Sequence, residues 1–221
     1  TLTGTVKGPD GKAAPGVTVY PWRFDGNEWY RLDNAAAVTS STGVYTMRNL
    51  EPGSYKVEFA PANTTGSLSS TSDPVLVGLG ATATVNTTLG AGGTISGTVK
   101  LFMKDGGVRT QRVANGITAY AFKVEGGGID TSRVYVSKPT PTSGAWSITG
   151  LPADSYKVKL YDSLSADFVD RWVGGTTGTD NVLNAAVYAG TAGKTTKAAT
   201  TEMDFFGGLV STSLELVVRD A

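Results

Sequence analysis

The chain has 221 residues, with 19 basic and 19 acidic side chains and a formal charge of zero. Histidine and cysteine are both absent, which excludes disulfides, thiol nucleophiles, Ser-His and Cys-His catalysis, and zinc held by its usual ligands. No run of Lys or Arg offers a track for a nucleic-acid backbone, and no apolar run approaches the ~18 residues of a membrane-spanning helix.

Strand signals dominate from the first residue. Leu2, Gly4 and Val6 alternate with Thr3, Thr5 and Lys7, the period of a half-buried strand. A glycine in the inward set predicts the close approach of another chain segment. Pro9-Asp10-Gly11-Lys12 reads as a turn, and Val17-Thr18-Val19-Tyr20 as the next strand. Thr42-Gly43 opens a strand carrying Tyr45 and Met47. Leu50-Glu51-Pro52-Gly53 turns into Tyr55-Lys56-Val57-Glu58-Phe59, with Tyr55, Val57 and Phe59 inward and Lys56 and Glu58 outward. A last strand of this set is expected near Ala83 to Thr88.

The order then repeats. Thr1 to Lys7 is answered by Thr94 to Lys100, Gly16-Val17-Thr18-Val19-Tyr20 by Gly116-Ile117-Thr118-Ala119-Tyr120, and Ser54-Tyr55-Lys56-Val57 by Ser155-Tyr156-Lys157-Val158. Trp146 falls where Tyr45 stands and is predicted to be core. A repeat of this length is a duplicated domain, not a solenoid unit. The predicted boundaries are 1–90 and 94–221, joined by Gly90-Ala91-Gly92-Gly93. The second copy carries a longer first turn, Leu101 to Asn115, and a longer segment after Asp162. Leu164 to Trp172 has the chain's one helical pattern, and Gly174 and Gly175 would end it. Beyond Phe206, Ser213 to Val218 alternates again, as an extra strand of the second sheet or the start of a third copy.

Short strands with turns between them at this spacing predict two stacked sheets per copy. The pattern Gly-Thr-Val-Lys, Asp-Gly, Gly-Val-Thr-Val, then Ser-Thr-Gly-x-Tyr-Thr-Met-x-x-Leu-x-Pro-Gly-Ser-Tyr-Lys-Val-Glu-Phe resembles the carboxypeptidase regulatory-like domain. The resemblance implies an all-β fold of two tandem seven-stranded transthyretin-like (prealbumin-like, Greek-key) β-sandwiches, related to the collagen-adhesin B type. It departs in the second copy, where Asp154 replaces the turn glycine held by Gly53. The family implies no catalytic machinery. It implies modules beside catalytic domains or in arrays on bacterial surface proteins, hence a secreted or cell-surface location. The chain opens on Thr1 without an export signal, which reads as a mature or excised segment.

Four candidate sites follow. Trp22, Trp29 and Tyr30, with Tyr120 and Phe122 in the second copy, could form an exposed aromatic row that stacks sugar rings; the competing reading packs them under neighbouring loops. The likeness to the collagen-adhesin B type implies a Lys–Asn cross-link between a strand lysine and an asparagine near the last strand, places that Lys7 and Asn86 roughly hold, but Lys7 lies on the polar side of its strand and that chemistry needs desolvated partners. Asp162, Asp167 and Asp170 in one insertion, and Asp25, Asn27 and Glu28 in another, offer oxygen ligands suited to calcium without a defined loop spacing. Nothing sets two acids facing each other for glycoside cleavage.

The function expected is therefore a non-catalytic spacer or adhesive stalk, without cofactor unless calcium binds. The alternative is a carbohydrate-binding module. Its partners would be neighbouring domains of a larger chain, a glycan or a host or cell-surface protein.

Overall fold

A computed structural model describes residues 1–62, 65–105 and 107–205. The chain separates into two compact units. The first holds Thr1–Thr94 with the short pieces Thr149–Ala153 and Gly190–Lys194; the second holds Ile95–Ile148, Asp154–Ala189 and the residues from Thr195. The C-terminal alternation from Ser213 to Val218 lies outside the described residues.

The first ten strands are β1 (Leu2–Lys7), β2 (Thr18–Phe24), β3 (Trp29–Arg31), β4 (Ala37–Val38), β5 (Val44–Met47), β6 (Gly53–Ala60), β7 (Ser70–Thr71), β8 (Val75–Val77), β9 (Ala83–Thr84) and β10 (Thr87–Thr88). They form two sheets. One runs β10-β1-β5, with β9 also on β1; the other runs β3-β2-β6-β7, with β4 on β2 and β8 on β6. Leu2, Val6, Tyr45 and Met47 from the first sheet meet Val19, Tyr55, Val57, Phe59 and Val77 from the second in one buried cluster. That is a β-sandwich closed by the alternation visible in the sequence.

The predicted strand over Ala83 to Thr88 is interrupted. β9 and β10 both run parallel to β1, and between them the side chain of Asn86 takes the place of a backbone acceptor. Thr5 N donates to Asn86 Oδ1 at 2.8 Å. The neighbouring ladder bonds are backbone ones, Val85 N to Thr3 O and Leu89 N to Lys7 O, each 2.8 Å.

The second set is β11 (Gly93–Asp105), β12 (Val108–Arg112), β13 (Ile117–Glu125), β14 (Gly128–Val136), β15 (Ala145–Leu151), β16 (Asp154–Asp162), β17 (Arg171–Trp172), β18 (Tyr188–Gly190), β19 (Thr195–Lys197) and β20 (Thr201–Asp204). Again two sheets form, β12-β11-β15 with β19 and β20 on β11, and β14-β13-β16-β17 with β18 on β16. Ile95, Val99, Ile117, Ala119, Trp146, Ile148, Tyr156, Val158 and Leu160 are buried.

Two expectations about the insertions are corrected. The segment Leu101 to Asn115 is no long turn. β11 runs on to Asp105 and pairs antiparallel with β12 from Leu101↔Arg112 to Asp105↔Val108, a hairpin. The segment Leu164 to Trp172 is not helical. Asp162 accepts from the N–H groups of Leu164, Ser165 and Asp167, and Ala166 sits at φ +57°, in the left-handed region. The local bonds of Asp162 draw the chain into a turn, and a left-handed residue ends helical propagation.

Candidate functional site

The outer surface of the β3-β2-β6 sheet carries the aromatic residues singled out above. β2 alternates, with Val19 and Pro21 buried and Tyr20 and Trp22 half-buried on the solvent side. Residues directly opposite across antiparallel strands share a face. Trp22 stands opposite Arg31, and Phe24 opposite Trp29. Trp22 also stands opposite Lys56 on β6, and Tyr20 opposite Glu58. Tyr20, Trp22, Phe24, Trp29, Arg31, Lys56 and Glu58 therefore lie on one face.

Tyr30 does not join them. It stands opposite Arg23, whose other neighbour is the buried Tyr55, so its side chain belongs to the opposite face. The cause is the connecting turn. Asp25 Oδ1 accepts from Asn27 N at 2.8 Å and Glu28 N at 3.0 Å, which fixes the register so that Trp29, not Tyr30, continues the row of Trp22.

Charges interleave with these rings. The Arg31 guanidinium carbon lies 4.4 Å from the Tyr20 ring centroid and 6.0 Å from that of Trp22. Lys56 Nζ lies 4.6 Å from the Trp29 ring. Such cations are drawn to the negative face of the π-system. Trp22 Nε1 donates to Glu58 Oε2 at 2.7 Å, and Arg31 pairs with Asp33 at 2.7 Å.

The matching face of the second unit has the same register. Phe122 stands opposite Lys157 and Tyr120 opposite Lys159, as Trp22 does to Lys56 and Tyr20 to Glu58. Here the face is covered. Between β17 and β18 the chain makes an excursion over residues 173–187, where the first unit connects β7 to β8 through residues 72–74. Phe122, Trp172 and Ala185 form a buried cluster backed by Tyr120, Ile129, Val134 and Val182. Lys157 is 7% exposed, and its Nζ donates to the Val182 carbonyl at 2.7 Å. Phe122 is thus buried, contrary to the exposed row expected. Tyr120 packs edge-on against Tyr161 at 4.7 Å. The sequence hid this because the covering run Val182-Leu183-Asn184-Ala185 is too short to show a period, and Lys157 reads as an ordinary outward lysine.

The other candidates are committed to structure. Asp162 accepts from Ser165 Oγ at 2.6 Å besides its backbone donors, among them the Asp167 amide at 2.9 Å, and Asp170 pairs with Lys159 at 3.3 Å. Among the described residues no three His, Cys, Asp or Glu side chains come together to hold a metal. Lys7 and Asn86 are both exposed, and Asn86 is spent on the Thr5 amide, so the desolvation that a cross-link requires is missing. A cleft of about 480 Å³ in the second unit is lined by Lys104, Arg109, Arg171, Asp180 and Asp204 among others. Its charges neutralise one another: Arg109 pairs with Asp204 at 2.8 Å and Glu202 at 2.6 Å, and Arg171 with Asp180.

Titratable groups follow the same logic. Hydrogen bonds from Ser132 hold Asp130 below the ordinary carboxylate range. The Lys123 ammonium holds Asp154 down and is itself raised by it. Backbone N–H groups of Glu28 and Asn27 lower Asp25. Burial pushes the Tyr45, Tyr55, Tyr135, Tyr156 and Tyr188 phenols up.

Comparison with known proteins agrees with the first unit's sequence pattern. Residues 1–90 match the family model of the carboxypeptidase regulatory-like domain, and the first unit carries that domain. No curated protein sequence matches the chain. Among solved structures it is similar to a minor pilin of Streptococcus agalactiae, at 15% identity over 93% of this chain and 96% of that one, TM-score 0.37. A streptococcal ancillary pilin gives 13% identity over 92% of this chain and 61% of that one, TM-score 0.43. The shaft pilin SpaA of Lactobacillus rhamnosus GG gives 10% identity over 92% and 96%, TM-score 0.39. No helix among the described residues is long and apolar enough to cross a membrane.

Proposed function

We propose that this chain is a non-catalytic tandem β-sandwich module of a secreted or cell-surface bacterial protein, acting as a spacer or an adhesion element. One observation carries the reading. In the charged cleft of the second unit Arg109 is tied to Asp204 and Glu202 and Arg171 to Asp180, and the core of the first unit is built from apolar and aromatic side chains. Acid–base and nucleophilic catalysis need instead an unpaired acid, base or nucleophile poised at a cleft. The first unit places the aromatic side chains of Tyr45, Tyr55 and Phe59 in its core. The carboxypeptidase regulatory-like match over residues 1–90 supports the same reading.

The carbohydrate-binding alternative depended on a platform of Trp22, Trp29 and Tyr30 repeated by Tyr120 and Phe122. The register sends Tyr30 to the other face, and the 173–187 excursion covers Phe122. Trp22 and Trp29 of the first unit remain half-buried on the outer face of their sheet. Hydrolysis assays of the chain on glycan, ester and peptide substrates test the proposal. They should return no turnover above buffer, and activity that co-purifies through successive columns and persists would overturn it.

A further inference from the structure

The two units present the same sheet surface in two states, one covered and one uncovered. In the second unit the cover is polypeptide, with three elements of recognition. Val182 and Ala185 close over Phe122 and Trp172. The carbonyl of Val182 accepts from Lys157 Nζ. The excursion is anchored by backbone bonds from Val173 N to Val158 O at 2.8 Å and from Ala186 N to Val173 O at 3.0 Å.

The first unit has part of the receiving half of this arrangement: the lysine and the ring opposite it are present, while Thr71, opposite Glu58, stands where Trp172 stands opposite Lys159. Lys56 occupies the register of Lys157, opposite Trp22 where Lys157 is opposite Phe122. Its ammonium rests over the Trp29 ring. Among the described residues it has no carboxylate within ion-pair distance, so its donors are free to meet an acceptor. The apolar border is supplied by Phe24, 38% exposed and 5.2 Å from Trp29, and by Leu76, 76% exposed. Leu76 stands opposite Ser54 on the same face.

We propose that this face of the first unit, centred on Trp22, Trp29 and Lys56, docks an apolar turn of a partner protein. The turn has the chemistry of residues 182–185: a branched aliphatic residue whose backbone carbonyl meets the Lys56 ammonium, and a small residue three positions later against the rings. The complementarity is that of a cation facing a carbonyl dipole inside an aromatic border. A second copy of this chain is not the occupant, because each copy's 182–185 turn is held on its own face by Lys157 and by the burial of Ala185. A cation over the rings does not bar such a cover: in the second unit Lys159 Nζ lies 5.9 Å from the ring of Trp172, which packs with Val182 and Ala185. The inference holds whether the chain is a spacer or an adhesion element.

The test uses the full chain labelled with ¹⁵N and a synthetic peptide of the sequence Asp180 to Val187. The chain's own copy of that segment already occupies the second unit, so the added peptide finds only the first unit open. The expected result is a saturable shift of the Trp22 and Trp29 indole N–H signals, with those of Trp146 and Trp172 unmoved. Lys56→Met keeps the side-chain stem and removes the ammonium; it should weaken binding roughly tenfold, as loss of a charge-assisted hydrogen bond does. A peptide with aspartate in place of its first valine should not bind. Unmoved Trp22 and Trp29 indoles at saturating peptide overturn the proposal, as does equal binding by Lys56→Met with its Trp146 signal in place. Saturation by neutral oligosaccharides with no response to peptide would assign the face to glycans. Concentration-dependent shifts of the same indoles in the chain alone would assign it to self-association.

Discussion

The Tyr45 hydroxyl donates to the backbone carbonyl of Val85 at 2.8 Å, and the same carbonyl stands 1.8 Å from where a Cβ on Gly4 would lie. The glycine in the first strand is therefore a site of close approach, as its place in the inward set implied. Gly97 repeats the device in the second unit, where a Cβ would lie 2.5 Å from the Trp146 ring. Gly4→Ala must displace backbone and should cost at least the 1–3 kcal/mol of a typical overpacking change. Gly97→Ala strikes a ring that is only 3% exposed, and should cost a similar amount. Urea denaturation of the two variants checks both values, and a neutral Gly4→Ala would contradict the approach of Val85.

Tyr55 is fully buried and Tyr156 is 1% exposed. Truncating either to alanine should cost roughly 3–5 kcal/mol, the range for large aromatic residues removed from a packed core. The phenol of Tyr55 also donates to the Glu51 carbonyl at 2.8 Å. Tyr55→Phe isolates that bond and should cost only about 1 kcal/mol. Equal losses in Tyr55→Phe and Tyr55→Ala would mean that the hydrogen bond, not ring burial, carries the position.

The core was legible because alternation over Tyr55, Val57 and Phe59, and over Tyr45 and Met47, is a local signal of burial on one face. The same alternation runs through β2, where Tyr20 and Trp22 stand on the solvent side. What escaped were features set by turns and by non-local cover. The parity of Trp29 and Tyr30 depends on how many residues the Asp25 turn consumes, which a pattern on either strand does not encode. The helical spacing of Leu164 to Trp172 was overruled by one aspartate that gathers three amides and by a left-handed Ala166. Lys157 looked solvated because its acceptor, the Val182 carbonyl, belongs to a segment distant in sequence and carries no side-chain signature.

With no histidine or cysteine in the chain, no side chain titrates ordinarily between the carboxylates and the phenols, and stability should be flat from roughly pH 5 to 9. Partial burial pushes the Asp162 carboxyl up, but its hydrogen bonds from Ser165, Asp167 and Leu164 together draw it below the ordinary value. A carboxylate lowered in the folded state contributes stability that is present above its unfolded pKa of ~3.9 and is lost as pH falls through the folded value. Buried tyrosines have the opposite limb: Tyr45, Tyr55 and Tyr156 are raised, so their contribution is intact below ~10 and is lost as pH rises beyond it. Thermal melts across pH should trace this plateau, and Asp162→Asn should make the acid limb shallower while leaving the alkaline limb unchanged. An acid limb unaltered by Asp162→Asn would show that the turn contributes nothing to acid stability.

The cover over the second unit can be lifted without touching either sandwich core. Ala185 is 6% exposed and packs with Phe122 and Trp172, which are each 8% exposed. Ala185→Arg forces a long cation into that cluster beside the buried Lys157, a site with neither the volume nor a spare anion for it. Overpacking and an unpaired charge each disfavour the covered state, so the 173–187 excursion should detach at a cost of about 1–3 kcal/mol. Trp172 reports the event. In a background of Trp22→Phe and Trp29→Phe, only Trp146 and Trp172 remain, and both should resist collisional quenching while Ala185 is present. After Ala185→Arg, roughly half of the emission should become quenchable as Trp172 meets solvent, while Trp146 stays protected in the core. A spectrum that remains wholly protected would show that the cover survives the substitution. One that becomes wholly quenchable would show that the cover and the sandwich unfold together, and that the outer layer is part of the domain core.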